Sequence, residues 1–384
     1  KSLQTQITSD FVESKSLFGR GNYPCAYNPS LNCDECNHTS LTPCHYKKSG
    51  CEYEDRKREV LESRLKILNF SYYLSECNYV GRFSGAPFVV IDEADSLEST
   101  LISFTTLMFT RYALNRLGLS DMADSLRKTS KFKDSLISSW KNFGEQAKVR
   151  VGTIIKKLSS DIESQGESPD TSVIKERVRI IRLQEKINLF LNNVDDTWIL
   201  DDSQEDRLIW RPLWMTPELA ENYLWSHGKK FCLMSASFLP VPILAKTLGI
   251  DTDDIDYHIV PSMFPPERRP VYLQPVANLT SKSMKEEVPK LLDRIQLILH
   301  NHPDTTGLIH PVAYNLANQI MEGVNSKRLI THNGQNRQEI IDMFKESDKP
   351  LVLVSPSCER GISLEFDMCR WIICAKAPYL SLGE

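Results

Sequence analysis

Several things this 384-residue sequence lacks narrow what it can be. No apolar run approaches the roughly 20 residues that a membrane-spanning helix needs, and no signal-peptide pattern opens it. The balance of 46 Lys and Arg against 50 Asp and Glu gives a net charge of -4. There is no global basic field, so any nucleic-acid site has to be local. Internal repeats and low-complexity tracts are missing. So is the phosphate-cradling pattern Gly-x-x-x-x-Gly-Lys-Ser/Thr. No His/Glu constellation suits a zinc hydrolase.

What is present is ordinary globular composition, 41% hydrophobic and 25% charged, with enough length for two or three cores. The ten cysteines are unevenly placed. Five fall in one loop-rich stretch, spaced Cys25-x7-Cys33-x2-Cys36-x7-Cys44-x6-Cys51. Disulfide stapling suits small secreted domains, and this chain is large, so the thiols read as reduced and the compartment as cytoplasmic, or nuclear if eukaryotic. Thiolates hold zinc and iron–sulfur clusters alike, and spacing alone leaves both open. Cys77, Cys232, Cys358, Cys369 and Cys374 lie in apolar segments and read as packing residues.

Along the chain, residues 1–18 read as helical and 19–53 as loop. Asp55 to Leu68 carries helical spacing, followed by Asn69 to Val80. PFVVIDEADSLES is a short apolar run ending in acids, the pattern of a buried parallel strand. Ser103 to Asn193 reads as a helical insertion of two long arms broken at GESPD, with few strand signals. HGKKFCLMSASFLP is a second strand ending in hydroxyls, and PSMFPPERRPVYLQP a linker. Beyond it a βαβα rhythm predicts a parallel sheet covered by helices. KSLQTQ reads as the middle of an amphipathic helix and KAPYLSLGE as an unfinished loop, so a piece of a longer protein is expected.

VVIDEAD puts Asp92 and Glu93 just past the carboxyl end of a strand, where open α/β sheets bind ligands. One such carboxylate can hold Mg²⁺ through water and the other can polarise the water that attacks a terminal phosphate. The plainer alternative is an acidic helix start that suits the helix dipole.

VIDEADSLE resembles motif II of superfamily-2 helicases. LMSASFLP, about 140 residues on, resembles motif III, GLIHP motif IV, and LVSPSCERGISLEFD motif V. GRGNYPC and CEYEDRKREVLESRLKILNFSYYL are similar to the segments that bracket the cluster domain in iron–sulfur helicases of the XPD/DinG type. The resemblance covers nearly the whole chain, most weakly the helical insertion, which stands where that family carries its arch. It departs in the missing P-loop and motif VI arginines, in Asp95 where His is usual, and in Ser363 where Asp is common.

The resemblance implies an α/β fold of two RecA-like parallel-sheet motor domains with two insertions. Motor domain 1 would comprise 1–18, 81–102 and 227–262, the cluster domain 19–80, the helical arch 103–226, and motor domain 2 263–384. It implies a [4Fe–4S] cluster on Cys25, Cys36, Cys44 and Cys51, with Cys33 as the alternative to Cys36, beside ATP and Mg²⁺ as further cofactors. Asp92 would hold Mg²⁺ and Glu93 would activate water, with Asp95, Glu359 and Gly361 also lining the nucleotide. Arg20, Tyr23, Lys47, Lys48 and Arg56 near the cluster, with His310, Ser355 and Ser357, would meet nucleic acid; Lys57, Arg58, Tyr46 and Tyr53 extend that basic and aromatic patch. Its plainer reading is a solvated basic face with tyrosines covering the cluster. The implied function is ATP-dependent 5′→3′ translocation on single-stranded DNA and at duplex junctions, by a monomer off the membrane, with this segment alone inactive. The alternative is a nucleic-acid-binding or assembly module with a metal-stapled patch and no turnover.

Overall fold

The computed structural model describes residues 4, 7–8, 10–36, 44–129, 136–165, 170–201, 206–280, 282–358 and 362–377. The chain is mixed α/β with parallel sheets and divides into two compact units, the first ending at Ile259 and the second beginning at Val260. Among the described residues no helix is long and apolar enough to cross a membrane.

Strands of the first unit are β1 (Ser14–Leu17), β2 (Leu65–Leu68), β3 (Val89–Ile91), β4 (Leu107–Thr110), β5 (Trp198–Asp201), β6 (Arg207–Pro212) and β7 (Phe231–Leu233). β1 and β2 form one parallel pair and β3 and β7 another. Leu17, Leu74, Ile91, Leu97 and Leu101 share a single core, against which Leu68, Val89 and Phe231 also pack. Two of these strands were not legible as strands. In SKSL, Ser14, Ser16 and Leu17 are buried and Lys15 is exposed, so the segment read as helical contains β1. The helix Glu52–Glu62 stops at Ser63, and LKIL after it is β2. A four-residue apolar run carries no period that separates helix from strand.

The stretch 103–226 contains the two expected long helices, Leu136–Ser164 and Thr171–Asn193; residues 166–169 of the expected break lie outside the described residues. It also holds an antiparallel sheet that the sequence did not announce, in the order β4-β6-β5. Leu107 and Phe109 are fully buried while Met108 and Thr110 are exposed, a period of two too short to notice among helices. Phe109, Phe143, Phe190 and Trp210 meet at ring-centre distances of 5.1–6.2 Å and tie this sheet to both arms.

In the second unit, β8 (Gly307–His310), β9 (Leu329–Thr331), β10 (Val352–Val354) and β11 (Trp371–Cys374) pair in parallel in the order β11-β8-β10-β9. Helices Met284–Asn301, Tyr314–Gly323 and Arg337–Glu346 alternate with the strands as predicted. Val352, Leu353 and Val354 are fully buried, as expected of a central parallel strand covered on both faces. At the opposite edge Arg328 donates to the carbonyls of Pro350, Leu299, His302 and Thr305, closing the sheet's amino end.

Candidate functional site

The acidic pair sits where the pattern put it. β3 ends at Ile91, and Asp92 and Glu93 stand exposed just past it. Backbone bonds stitch this turn to the end of β7: Met234 donates to the Ile91 carbonyl and Ala94 to the Met234 carbonyl, both at 2.9 Å. The DEAD segment and the LMSAS segment, far apart in sequence, therefore leave one sheet edge together. At that edge the Ser237 amide donates to Ser235 Oγ at 3.3 Å. Glu93 is held at φ 53, with its amide donating to Asp92 Oδ1 at 2.9 Å. A left-handed non-glycine residue costs conformational energy and concentrates at functional turns. Asp95 is exposed in the next turn, Ala94–Ser96.

The cysteine loop is a small hairpin. Pro24 bridges to Asn32, the Cys25 amide donates to Leu31 and the Cys33 amide to Tyr23. Asn32 and Glu35 form a reciprocal capping box over the Cys33–Glu35 turn, and Cys51 caps the helix Glu52–Glu62. This geometry brings Cys33 Sγ to 3.8 Å from Cys51 Sγ. Burial pushes the Cys33 thiol up to about 12, helped by the charges of Cys51 and Cys25. Cys36 instead packs toward Ile162 and Ile174 of the long helices, together with Cys25 and Leu31. Lys175–Glu35 and Arg182–Asp34 ion pairs, at 3.3 and 3.0 Å, line the same contact. Cys44 caps the turn His45–Lys47. Among the described residues no three His, Cys, Asp or Glu side chains are grouped as a metal site. Two sulfurs, those of Cys33 and Cys51, are thus in contact, with the Cys33 thiol buried.

The basic patch is thinner than its composition suggested. Lys47 and Lys48 are exposed, and Tyr46 is partly so. Arg20 lies over the Tyr53 ring, 5.3 Å from its centre. Arg56 donates to the Ser16 carbonyl and to Glu59. Tyr23 and Tyr53 are buried and meet edge to face at 5.6 Å, so their rings cover the core and offer no face to a base. Lys57 is withdrawn from the surface: its Nζ meets Glu76 at 2.6 Å, and the Tyr53 and Tyr72 hydroxyls, 2.6 Å from each other, lie 3.1 and 3.0 Å from the other oxygen of that carboxylate, two protons serving three contacts. The one available signal for this quartet was its helical spacing, Tyr53 to Lys57 and Tyr72 to Glu76.

At the carboxyl edge of the second sheet, three strand ends converge. His310 Nδ1 donates to the Ser355 carbonyl at 3.0 Å, and Val312 is held at φ 67, a conformation β-branched residues avoid. Ser355 is fully buried. His332 and Arg337, which the sequence did not single out, join the group: His332 Nε2 is 2.6 Å from Ser355 Oγ, and Arg337 donates twice to Ser357 at 2.9 Å. Both follow β9, a strand with no motif-like signature. Glu359 and Gly361 lie outside the described residues.

With this geometry established, comparison with known proteins gives three results. No protein-family model matches the chain, and no curated protein does. Solved structures similar to it include XPD helicases. One XPD helicase has a TM-score of 0.44 at 13% identity, covering 89% of this chain and 67% of that one. S. tokodaii Xpd4 gives 0.43 at 13%, covering 92% and 74%. An apo XPD gives 0.45 at 15%, covering 84% and 66%. The chain thus spans 66–74% of the length of these structures.

Proposed function

We propose that this chain is part of an ATP-dependent DNA helicase that moves 5′→3′ on single-stranded DNA. The observation that carries this reading is the exposed Asp92–Glu93 pair on a strained turn at the carboxyl end of β3, bonded to the hydroxyl-bearing end of β7. Asp92 would hold Mg²⁺ and Glu93 would orient and deprotonate water; the metal supplies charge neutralisation at the phosphates. Asp95, Glu359 and Gly361 belong to the same proposed nucleotide site. Lys47, Lys48, Arg20 and Arg56 would meet phosphates beside the cysteine loop, and His310 and Ser357 would act at the second sheet; Ser355, expected with them, is fully buried with its hydroxyl on His332 and would only support them.

The test is strand separation by the full-length protein on substrates with 5′ or 3′ overhangs. Unwinding from 5′ overhangs alone is expected; equal activity on both, or none on either, overturns the polarity. The 384-residue chain, without a P-loop, should bind DNA and fail to hydrolyse ATP efficiently.

The thiols would hold a [4Fe–4S] cluster that organises the loop, because a segment this polar cannot build a core unaided. A zinc site is the second reading, and one distance favours it. At a Zn–S bond of about 2.3 Å, tetrahedral thiolates lie about 3.8 Å apart, which is the Cys33–Cys51 separation. Purified protein decides between them: brown colour with iron and acid-labile sulfide, or colourless with zinc. If neither metal is found, both metal readings fall, and with them the alternative of a metal-stapled binding module without turnover.

A further inference from the structure

The turn after β9 contains the sequence's single Asn-Gly pair, Asn333–Gly334. Both residues are exposed, between β9 and the helix Arg337–Glu346. Gly334 has no Cβ to keep a neighbouring group away from its amide nitrogen. The space beside it is also open: a Cβ built there would meet nothing within 4 Å.

The Asn333 side-chain carbonyl is polarised by its surroundings. Its Oδ1 accepts from the Gln335 and Asn336 amides at 2.8 and 3.0 Å, and the Asn333 amide donates to Asn336 Oδ1 at 2.8 Å. Two N–H groups aimed at one carbonyl oxygen stabilise the oxyanion that forms when its carbon is attacked. On the main-chain side, Asn333 holds a buried neighbour. His332 Nδ1 lies 3.0 Å from the Asn333 main-chain carbonyl, which can only accept, so Nδ1 carries the proton. Nε2 of the neutral ring then accepts from Ser355 Oγ at 2.6 Å. His332 and Ser355 are both buried.

We propose that Asn333 is a modification site that converts through a succinimide to isoaspartate, and that the isoaspartyl form unlocks His332 from Ser355. The Gly334 nitrogen loses its proton to solvent base and bonds to Asn333 Cγ. The Cγ–Nδ2 bond breaks, and Nδ2 leaves as ammonia. Water then opens the ring at either carbonyl. Opening at Cγ leaves an ordinary aspartate, whose carboxylate faces the Gln335 and Asn336 amides at the start of a helix, where negative charge is favoured. Opening at the main-chain carbonyl routes the backbone through Cβ and Cγ instead. The oxygen that His332 meets then belongs to a free carboxylate. A carboxylate beside Nδ1 favours the imidazolium, whose Nε2 also bears a proton and no longer accepts from Ser355. The chemistry needs only water and base and is independent of the helicase reading.

The full-length protein, aged in its folded state at mildly alkaline pH, supplies the test. Trypsin releases the peptide Leu329–Arg337. Fragment-ion spectra should place the exchange of amide for carboxyl at Asn333, and isoaspartyl methyltransferase should label the same peptide. Gly334→Ala enters open space without a clash and should lose most of that label, because its Cβ crowds the attacking nitrogen. Aged protein separated by its added charge should yield an isoaspartyl fraction whose second unit melts below that of Asn333→Asp. The Asn333→Asp variant should melt at or slightly above wild type. If the urea-unfolded chain forms isoaspartate at this position and the folded protein does not, the turn's bonds restrain the side chain more than they polarise it, and the site is overturned. Equal labelling of Gly334→Ala overturns it as well. An isoaspartyl fraction that melts with Asn333→Asp overturns the effect on His332.

Discussion

The two units handle charge in opposite ways. In the first, carboxylates stand exposed at the end of a two-stranded parallel sheet, and the Lys57–Glu76 ion pair is buried against the helix Glu52–Glu62. In the second, the carboxyl edge of the sheet carries a hydrogen-bonded network of His332, Ser355 and Ser357, braced by Arg337. A network whose groups satisfy one another gains rigidity and leaves few atoms to offer a ligand. One edge therefore ends in exposed carboxylates, and the other in a hydroxyl–imidazole network braced by a guanidinium.

The strongest way to break this contrast is to unpair the buried charge. Glu76→Ala leaves the Lys57 ammonium, with a side chain only 11% exposed, facing two tyrosines. Loss of one partner of a buried pair typically costs about 3–5 kcal/mol. Urea unfolding should register that loss in the first unit while the second unit's transition stays put. A loss below about 1 kcal/mol, the range of surface pairs, would show that the pair is solvated in practice. Replacing both partners together, as Lys57→Met with Glu76→Leu, should recover most of the stability.

Next comes the exposed edge. Glu93→Gln in the full-length protein should lower DNA-stimulated ATP hydrolysis about 100-fold or more, the scale of a lost general base. Because Glu93 is exposed, the melting temperature should hardly change. Glu93→Gly would separate chemistry from strain: it relieves the left-handed backbone and still removes the carboxylate. A variant that hydrolyses ATP normally would remove the acidic pair from the mechanism.

In the second unit the sharpest constraint is steric, at the amino end of β8. A Cβ built on Gly307 would lie 2.3 Å from the Trp371 ring, whose Nε1 is fixed to Thr305 Oγ1 at 3.1 Å. Gly307→Ala should destabilise the second unit by about 1–3 kcal/mol, the usual cost of overpacking. Circular dichroism melts resolving the two units would check it. An unshifted second transition would mean that the ring moves aside freely.

How far the sequence announced all this follows from the length of each signal. The βαβα rhythm after residue 280 spans many elements, and its strands appeared as predicted. LKIL and LMFT are four residues each, and neither declares a period against neighbouring helices. Asp92 and Glu93 were legible because a strand-end acid pair is a local pattern. His332 and Arg337 were not, because their roles arise only when β9 lies beside β10. Tyr23 and Tyr53 looked like stacking residues in a polar loop. Their burial depends on β1, the helix Glu52–Glu62 and Phe83 meeting in one core, which loop composition cannot reveal.

The smallest expected effect concerns the one histidine the first unit buries among the described residues. Asn78 Nδ2 donates to the carbonyls of Leu74 and Tyr223, so its Oδ1 must accept, and His227 Nε2 supplies that proton at 3.0 Å. Nδ1 then accepts from Ser84 Oγ at 3.0 Å, leaving the ring neutral with both nitrogens satisfied. Burial holds its pKa below the ordinary histidine value. The unfolded chain therefore binds the proton more readily than the fold does, and stability rises with pH across this window. The contribution is complete above the ordinary histidine pKa and is lost as pH falls through it toward the depressed folded value. Urea midpoints for the first unit should decline between about pH 7 and pH 5, and His227→Gln should flatten that decline while the second unit's profile stays the same. An equal slope in wild type and variant would place the proton uptake on another group.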